Sequence, residues 1–172
     1  MITGEHIAFG VAALVAALLQ VLIAPHIAIG SAVPNFALAL CLAAALVRHE
    51  FSNPVAPFVL GLVFDLVSGG PVGAMALALT AIVTFEAWLY EHVRNDTVFM
   101  AVTVLGVCVL LTEMIYGAIF LMFGYASGVL EAFVYRSLPC AVYDFVLALI
   151  LYLLMVRFLS GEAVTRTEIK QL

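Results

Sequence analysis

Apolar segments of membrane-crossing type follow one another along almost the whole chain, separated only by short polar breaks or by glycine and proline turns. A crossing helix needs about 20 predominantly apolar residues. Lipid offers backbone N–H and C=O groups no partner, so such runs fold as helices that close their own hydrogen bonds. The segments are read at 7–29 (apolar core Ile7–Ile23, stopped by Pro25, His26 and Gly30), 36–47, 54–68, 72–90, 98–123 and 138–159. Together they nearly fill 172 residues, so the expectation is one integral membrane domain over 1–159 and a polar, mobile cytoplasmic tail over 160–172. Composition agrees: 66% of residues are hydrophobic and 10% charged, where soluble domains carry about half and about a quarter. The predicted fold class is an all-α integral membrane protein, a bundle of six transmembrane helices.

The run 36–47, which ends at Arg48-His49-Glu50, is short for a crossing. It fits a tilted or locally thinned crossing, a helix sheltered by its neighbours, or a re-entrant segment, and length alone does not choose. Charge adds a constraint. With a cytoplasmic N-terminus and six crossings, Arg48, Arg94, Arg157, Arg166 and Lys170 fall inside and only Arg136 outside, as the positive-inside rule requires. Trp88 and Tyr90 read as an interfacial aromatic belt. Val129, Leu130, Phe133 and Val134 share one side at helical spacing, which predicts an interfacial helix over 129–136 lying on the bilayer and offering partner contacts. No Lys or Arg precedes the first run, which is read as a retained span rather than a cleaved signal.

Asp65, Glu86, Glu113 and Asp144 lie inside these segments, yet no Lys or Arg does. An ionised acid at helix centre costs about 2.5 to 3.5 kcal/mol on insertion scales, so each acid should face the bundle interior. There it must be neutral, hydrogen-bonded, close to an interface or paired with an arginine at a segment end. The topology places Asp65 and Asp144 in the outer half with Arg136, and Glu86 near the inner surface with Arg48, Arg94 and Arg157. The expectation is an outer cluster of Asp65, Asp144 and Arg136 that ties the third and sixth segments together. Glu113 lies deepest. It is expected to be a neutral carboxyl, bonded to a neighbour's hydroxyl or carbonyl or else serving proton coupling, a ligand or a partner helix. Gln20 is expected to find a partner on another helix, since an unpaired amide in lipid costs several kcal/mol.

Asp65 sits within Gly61-Leu-Val-Phe-Asp65-Leu-Val-Ser-Gly69-Gly70-Pro71-Val-Gly73-Ala-Met-Ala-Leu77. Gly61 and Gly69 stand four residues to either side of the acid, so a small-residue face would surround it and admit a neighbouring backbone. Gly69-Gly70-Pro71 predicts an uncharged turn joining two antiparallel helices. The stretch resembles the central signature of the MreD family, the rod-shape-determining inner-membrane proteins of bacteria. Gly61, Asp65, Pro71, Gly73 and Ala76-Leu77 match it position by position, with Val72 where the family often carries Leu and Gly70 as a second glycine. The number of apolar runs and the order of the short loops fit as well. The resemblance implies a non-enzymatic subunit of the elongation machinery that helps to position peptidoglycan synthesis. Its implied partners are the coiled-coil membrane protein MreC, MreB filaments, and the peptidoglycan polymerase and transpeptidase of the rod complex. It also implies an architecture similar to the substrate-binding subunits of energy-coupling-factor vitamin transporters.

Catalysis finds little support in the residues themselves. There is no Gly-x-Ser-x-Gly elbow, no His-Glu-x-x-His and no phosphate-binding glycine loop with Lys. His6, His26, His49 and His92 fall at predicted interfaces. Cys41, Cys108 and Cys140 are odd in number and unclustered, so they read as packing residues, with neither disulfide nor metal site nor cofactor expected. The net charge of -5 gives no support for nucleic-acid binding. Asp65 with Asp144 could imitate an intramembrane aspartyl protease, but the flanking residues do not favour it. The alternative to a scaffold is a small-molecule or lipid-binding subunit of a transport system, in which Asp65 and Asp144 would line an outward pocket.

Overall fold

The computed structural model describes the backbone at residues 4–30, 32–48, 51, 53–92 and 98–169, and the side chains of the same stretches except 4–6, 90–92 and 158–169. Among these residues the chain forms α1 (Gly4–Leu22), α2 (Phe36–Val47), α3 (Val55–Ser68), α4 (Ala74–His92), α5 (Val98–Met122) and α6 (Leu138–Ile169). A 3-10 turn at Ala24–His26 ends α1 early, with Pro25 inside it. Two helical stretches, Val98–Met122 and Glu131–Arg157, are long and apolar enough to cross a membrane, and the other apolar helices are shorter.

The molecule is built around α2. Every residue from Ala37 to Leu46 is buried, and the helix packs against α1, α3, α4, α5 and α6. A helix that is apolar on all sides has no solvent face to present, so it belongs inside. Its alanines, with Leu38 and Leu42 fully enclosed, let neighbouring helices close in around it. At 1.5 Å per residue its 12 residues extend about 18 Å, against a hydrocarbon core of about 30 Å. The helix is sheltered by its neighbours along its length.

Helices α3 and α4 form the predicted hairpin, and α5 lies against both α4 and α6. The segment 129–136 departs from expectation. It is not a separate interfacial helix: residues Glu131–Ser137 form a π-helix that runs directly into α6. Pro139 supplies a physical reason. A proline ring clashes with the carbonyl four residues earlier; here the turn before it is widened, and Leu138 N–H donates to the Phe133 carbonyl five residues back. Val129, Leu130 and Val134 remain exposed while Phe133 is half-buried.

The polar tail also differs from expectation, because α6 continues without a break to Ile169. Nothing in 160–169 removes a backbone donor, and Gly161 alone does not stop a long helix. The charge pattern used for orientation falls partly beyond what is described. Arg94, Lys170, His49 and Glu50 lie outside the described residues, as do the side chains of His6, Tyr90, His92 and Arg166.

Candidate functional site

The signature stretch forms a staple between α3 and α4. Helix α3 stops at Gly69, whose φ of 68° is left-handed and suits a residue without Cβ. The chain then turns through Gly70 and Pro71 to Gly73, which has a φ of 93°. There the first N–H groups of α4 would lie unsatisfied, and Asp65 supplies their acceptor. Its Oδ2 accepts from Gly73 N–H at 2.9 Å and Ala76 N–H at 3.2 Å, and Met75 N–H donates to Oδ1 at 3.0 Å. Asp65 is 1% exposed, so these bonds form in a dry setting, with the carboxylate at the positive end of the α4 dipole. Gly61 makes the approach possible. A Cβ there would stand 2.5 Å from the Ala76 Cα, so any side chain would force the two backbones apart. Gly69 plays a different part from the predicted packing face, since a Cβ there would meet open space; its conformation is what the turn uses.

A second staple holds the start of α2. Asp144, on α6, accepts from Asn35 N–H through Oδ1 at 2.7 Å. Gln20, on α1, accepts from Phe36 N–H at 2.8 Å and donates from Nε2 to the Pro34 carbonyl at 3.1 Å. Asn35 itself caps the helix, accepting from Leu38 N–H at 3.0 Å. Gln20 thus has the interhelical partner expected of it.

A cavity of about 210 Å³ opens near the ends of α1 and α3, lined by Gln20, Pro25, Val33, Phe64, Val67, Ser68, Glu113, Tyr116, Arg136 and Cys140. Pro25, Val67 and Ser68 are exposed at its mouth, while Gln20, Glu113 and Tyr116 are buried. Arg136 reaches it from the π segment. Its Cζ lies 3.5 Å from the centroid of the Phe120 ring and 4.9 Å from that of Tyr116, and its Nη1 is buried without a hydrogen-bond partner. The π segment is tied to α5 by Ser137 Oγ–H donating to the Glu113 carbonyl at 2.9 Å. Gly117 permits that contact, because a Cβ there would collide with Ser137 Oγ. The Glu113 side chain has the Asp144 carboxyl and the Arg136 guanidinium as its charged neighbours.

A family model described as rod shape-determining protein MreD matches residues 3–161. The chain belongs to the MreD family. No curated protein and no solved structure matches it. Membership carries a role in rod shape determination, within a membrane-protein family that is structural and not known for enzymes.

The expected trio of Asp65, Asp144 and Arg136 does not form. Each Asp holds a different helix start, α4 for Asp65 and α2 for Asp144, and Arg136 lies over Phe120 and Tyr116. Backbone N–H donors at a helix start are fixed in place, so a carboxylate that accepts from them needs no long side chain ordered beside it. Neither Asp lines this cavity, since both carboxyls are engaged with helix starts. The acid that does line it is Glu113, beside Gln20 and Arg136. Glu86, expected near the inner arginines, is 1% exposed with both carboxyl oxygens lacking a hydrogen-bond partner. The three cysteines are free; Cys41 and Cys108 pack in the core, and Cys140 lines the cavity. Among the described residues no group of His, Cys, Asp and Glu could hold a metal ion.

Proposed function

We propose that this chain is a non-enzymatic scaffold subunit of the bacterial rod complex, helping to maintain cell shape by organising lateral peptidoglycan synthesis. It sits in the inner membrane with six crossings and both termini cytoplasmic, the orientation favoured by Arg48 and Arg157 on one side and Arg136 on the other. The observation that carries the reading is the Asp65 staple. The signature residues of the family are engaged in fixing one helix against another, and the Asp65 carboxylate has three backbone donors on it. Such a site makes a rigid frame, with no free group poised for chemistry.

A frame of this kind acts through its outer surfaces. Exposed Leu14, Leu18 and Leu22 on α1, and Val129, Leu130 and Val134 before α6, present apolar faces. They suit contacts with single-span partners and lipid. The partners we assign are MreC first, then MreB filaments and the polymerase and transpeptidase of wall synthesis. Purification from the native membranes in mild detergent, followed by mass spectrometry, tests the assignment. Recovery of MreC with the wall synthases is expected; recovery of transport ATPase subunits without any rod-complex component would overturn it.

A further inference from the structure

We propose that the cavity at Arg136 is a binding site for a phosphate-type oxyanion, presented by a lipid head group or by a free phosphate compound. The Arg136 guanidinium carbon lies 3.5 Å from the Phe120 ring centroid and 4.9 Å from that of Tyr116. Contact with two aromatic rings restrains the cation, and guanidinium N–H groups are donors that pair well with phosphate oxygens. One of those donors, Nη1, is buried and has no hydrogen-bond partner. A buried charged donor left unpaired costs more than a neutral one, so the position calls for an acceptor.

The surroundings fit an oxyanion. Ser68 Oγ and Tyr116 Oη, 3.5 Å apart, line the same cavity; Ser68 donates to the Asp65 carbonyl at 3.4 Å, which leaves the Tyr116 hydroxyl as the second donor beside Arg136. Gln20 also lines it, but both ends of its amide are engaged with the α2 start, so it serves as wall rather than reader.

Size and position narrow the class. At about 210 Å³ the cavity is smaller than the roughly 300 Å³ at which pockets for drug-sized molecules begin, yet it exceeds the roughly 30 Å³ share of a single water. It takes a compact charged group, not a whole vitamin. Its mouth, at Pro25, Val67 and Ser68, lies where helices meet loops, the level of lipid phosphates in the proposed topology.

The test uses the full chain in nanodiscs containing phosphatidylglycerol or phosphatidylcholine, with retained lipid read by native mass spectrometry. Inorganic phosphate and pyrophosphate are titrated by calorimetry in parallel. Retention of phosphatidylglycerol over phosphatidylcholine assigns the head group, and saturable phosphate or pyrophosphate binding assigns the free source. Arg136→Gln should weaken whichever is bound by about tenfold or more, the size of one lost charge-assisted hydrogen bond, while Glu113→Gln retains it. Val67→Trp blocks the mouth from an exposed position without touching Arg136, and so decides the matter should Arg136→Gln fail to fold. Binding unchanged in both Arg136→Gln and Val67→Trp would overturn the site. Loss in Glu113→Gln with retention in Arg136→Gln would overturn it in favour of a cation site, and no selective binding of any of these probes would overturn it outright.

Discussion

Replacing Asp65 with Ala strips the acceptor from Gly73, Met75 and Ala76 N–H at once. The expected loss is about 1–3 kcal/mol, between the cost of a lost cap and that of buried unsatisfied donors. It is read as a lower thermal unfolding midpoint in detergent and as wider cells at unchanged expression. Asp65→Asn keeps one carbonyl oxygen, so its loss should be about half as large; a loss equal to that of Ala would show that the charge, not the acceptor, holds the hairpin. Gly61→Val should cost about 1–3 kcal/mol by overpacking, since its Cβ would meet the Ala76 backbone. That Asp65 needs an internal partner was legible from the cost of an acid in lipid. The identity of the partner was not. Helical spacing shows neighbours four residues away, whereas these donors lie 8 to 11 residues on, across a turn. Gly61 was read correctly as a close approach, while Gly69 was a glycine needed for its backbone angle.

Two helices reach over to hold the start of a third. Because Asp144 and Gln20 accept from the adjacent N–H groups of Asn35 and Phe36, the energies of Asp144→Ala and Gln20→Ala should not add. A double-mutant cycle on unfolding midpoints is expected to show coupling of about 0.5–3 kcal/mol; strict additivity would mean that the two caps act independently. The shortness of 36–47 was plain in the sequence, but its place at the centre was not, because lipid and a packed interior demand the same apolar residues. The π segment escaped for a related reason. Four apolar residues over 129–134 fit an interfacial helix, and only the strain set by Pro139 in the finished chain shows that the same stretch winds into α6.

At the scale of the molecule, apolar run lengths and the scarcity of charge made the all-helical class legible. The cavity was not, since Gln20, Ser68, Glu113 and Arg136 come from distant parts of the chain and only packing brings them together. The α2 cap has a further consequence for how the protein is made. Asn35 N–H receives its acceptor from a residue 109 positions later, so a nascent chain holds the start of its central helix through Gln20 and the Asn35 side chain alone until α6 emerges. Truncated chains ending before Asp144 should therefore expose Cys41, which is 2% accessible in the finished protein, to a membrane-permeant alkylating reagent. Equal protection in truncated and complete chains would mean that α2 is buried before its cap arrives. Until α6 packs, the half-built chain bares a helix that the folded one encloses on every side.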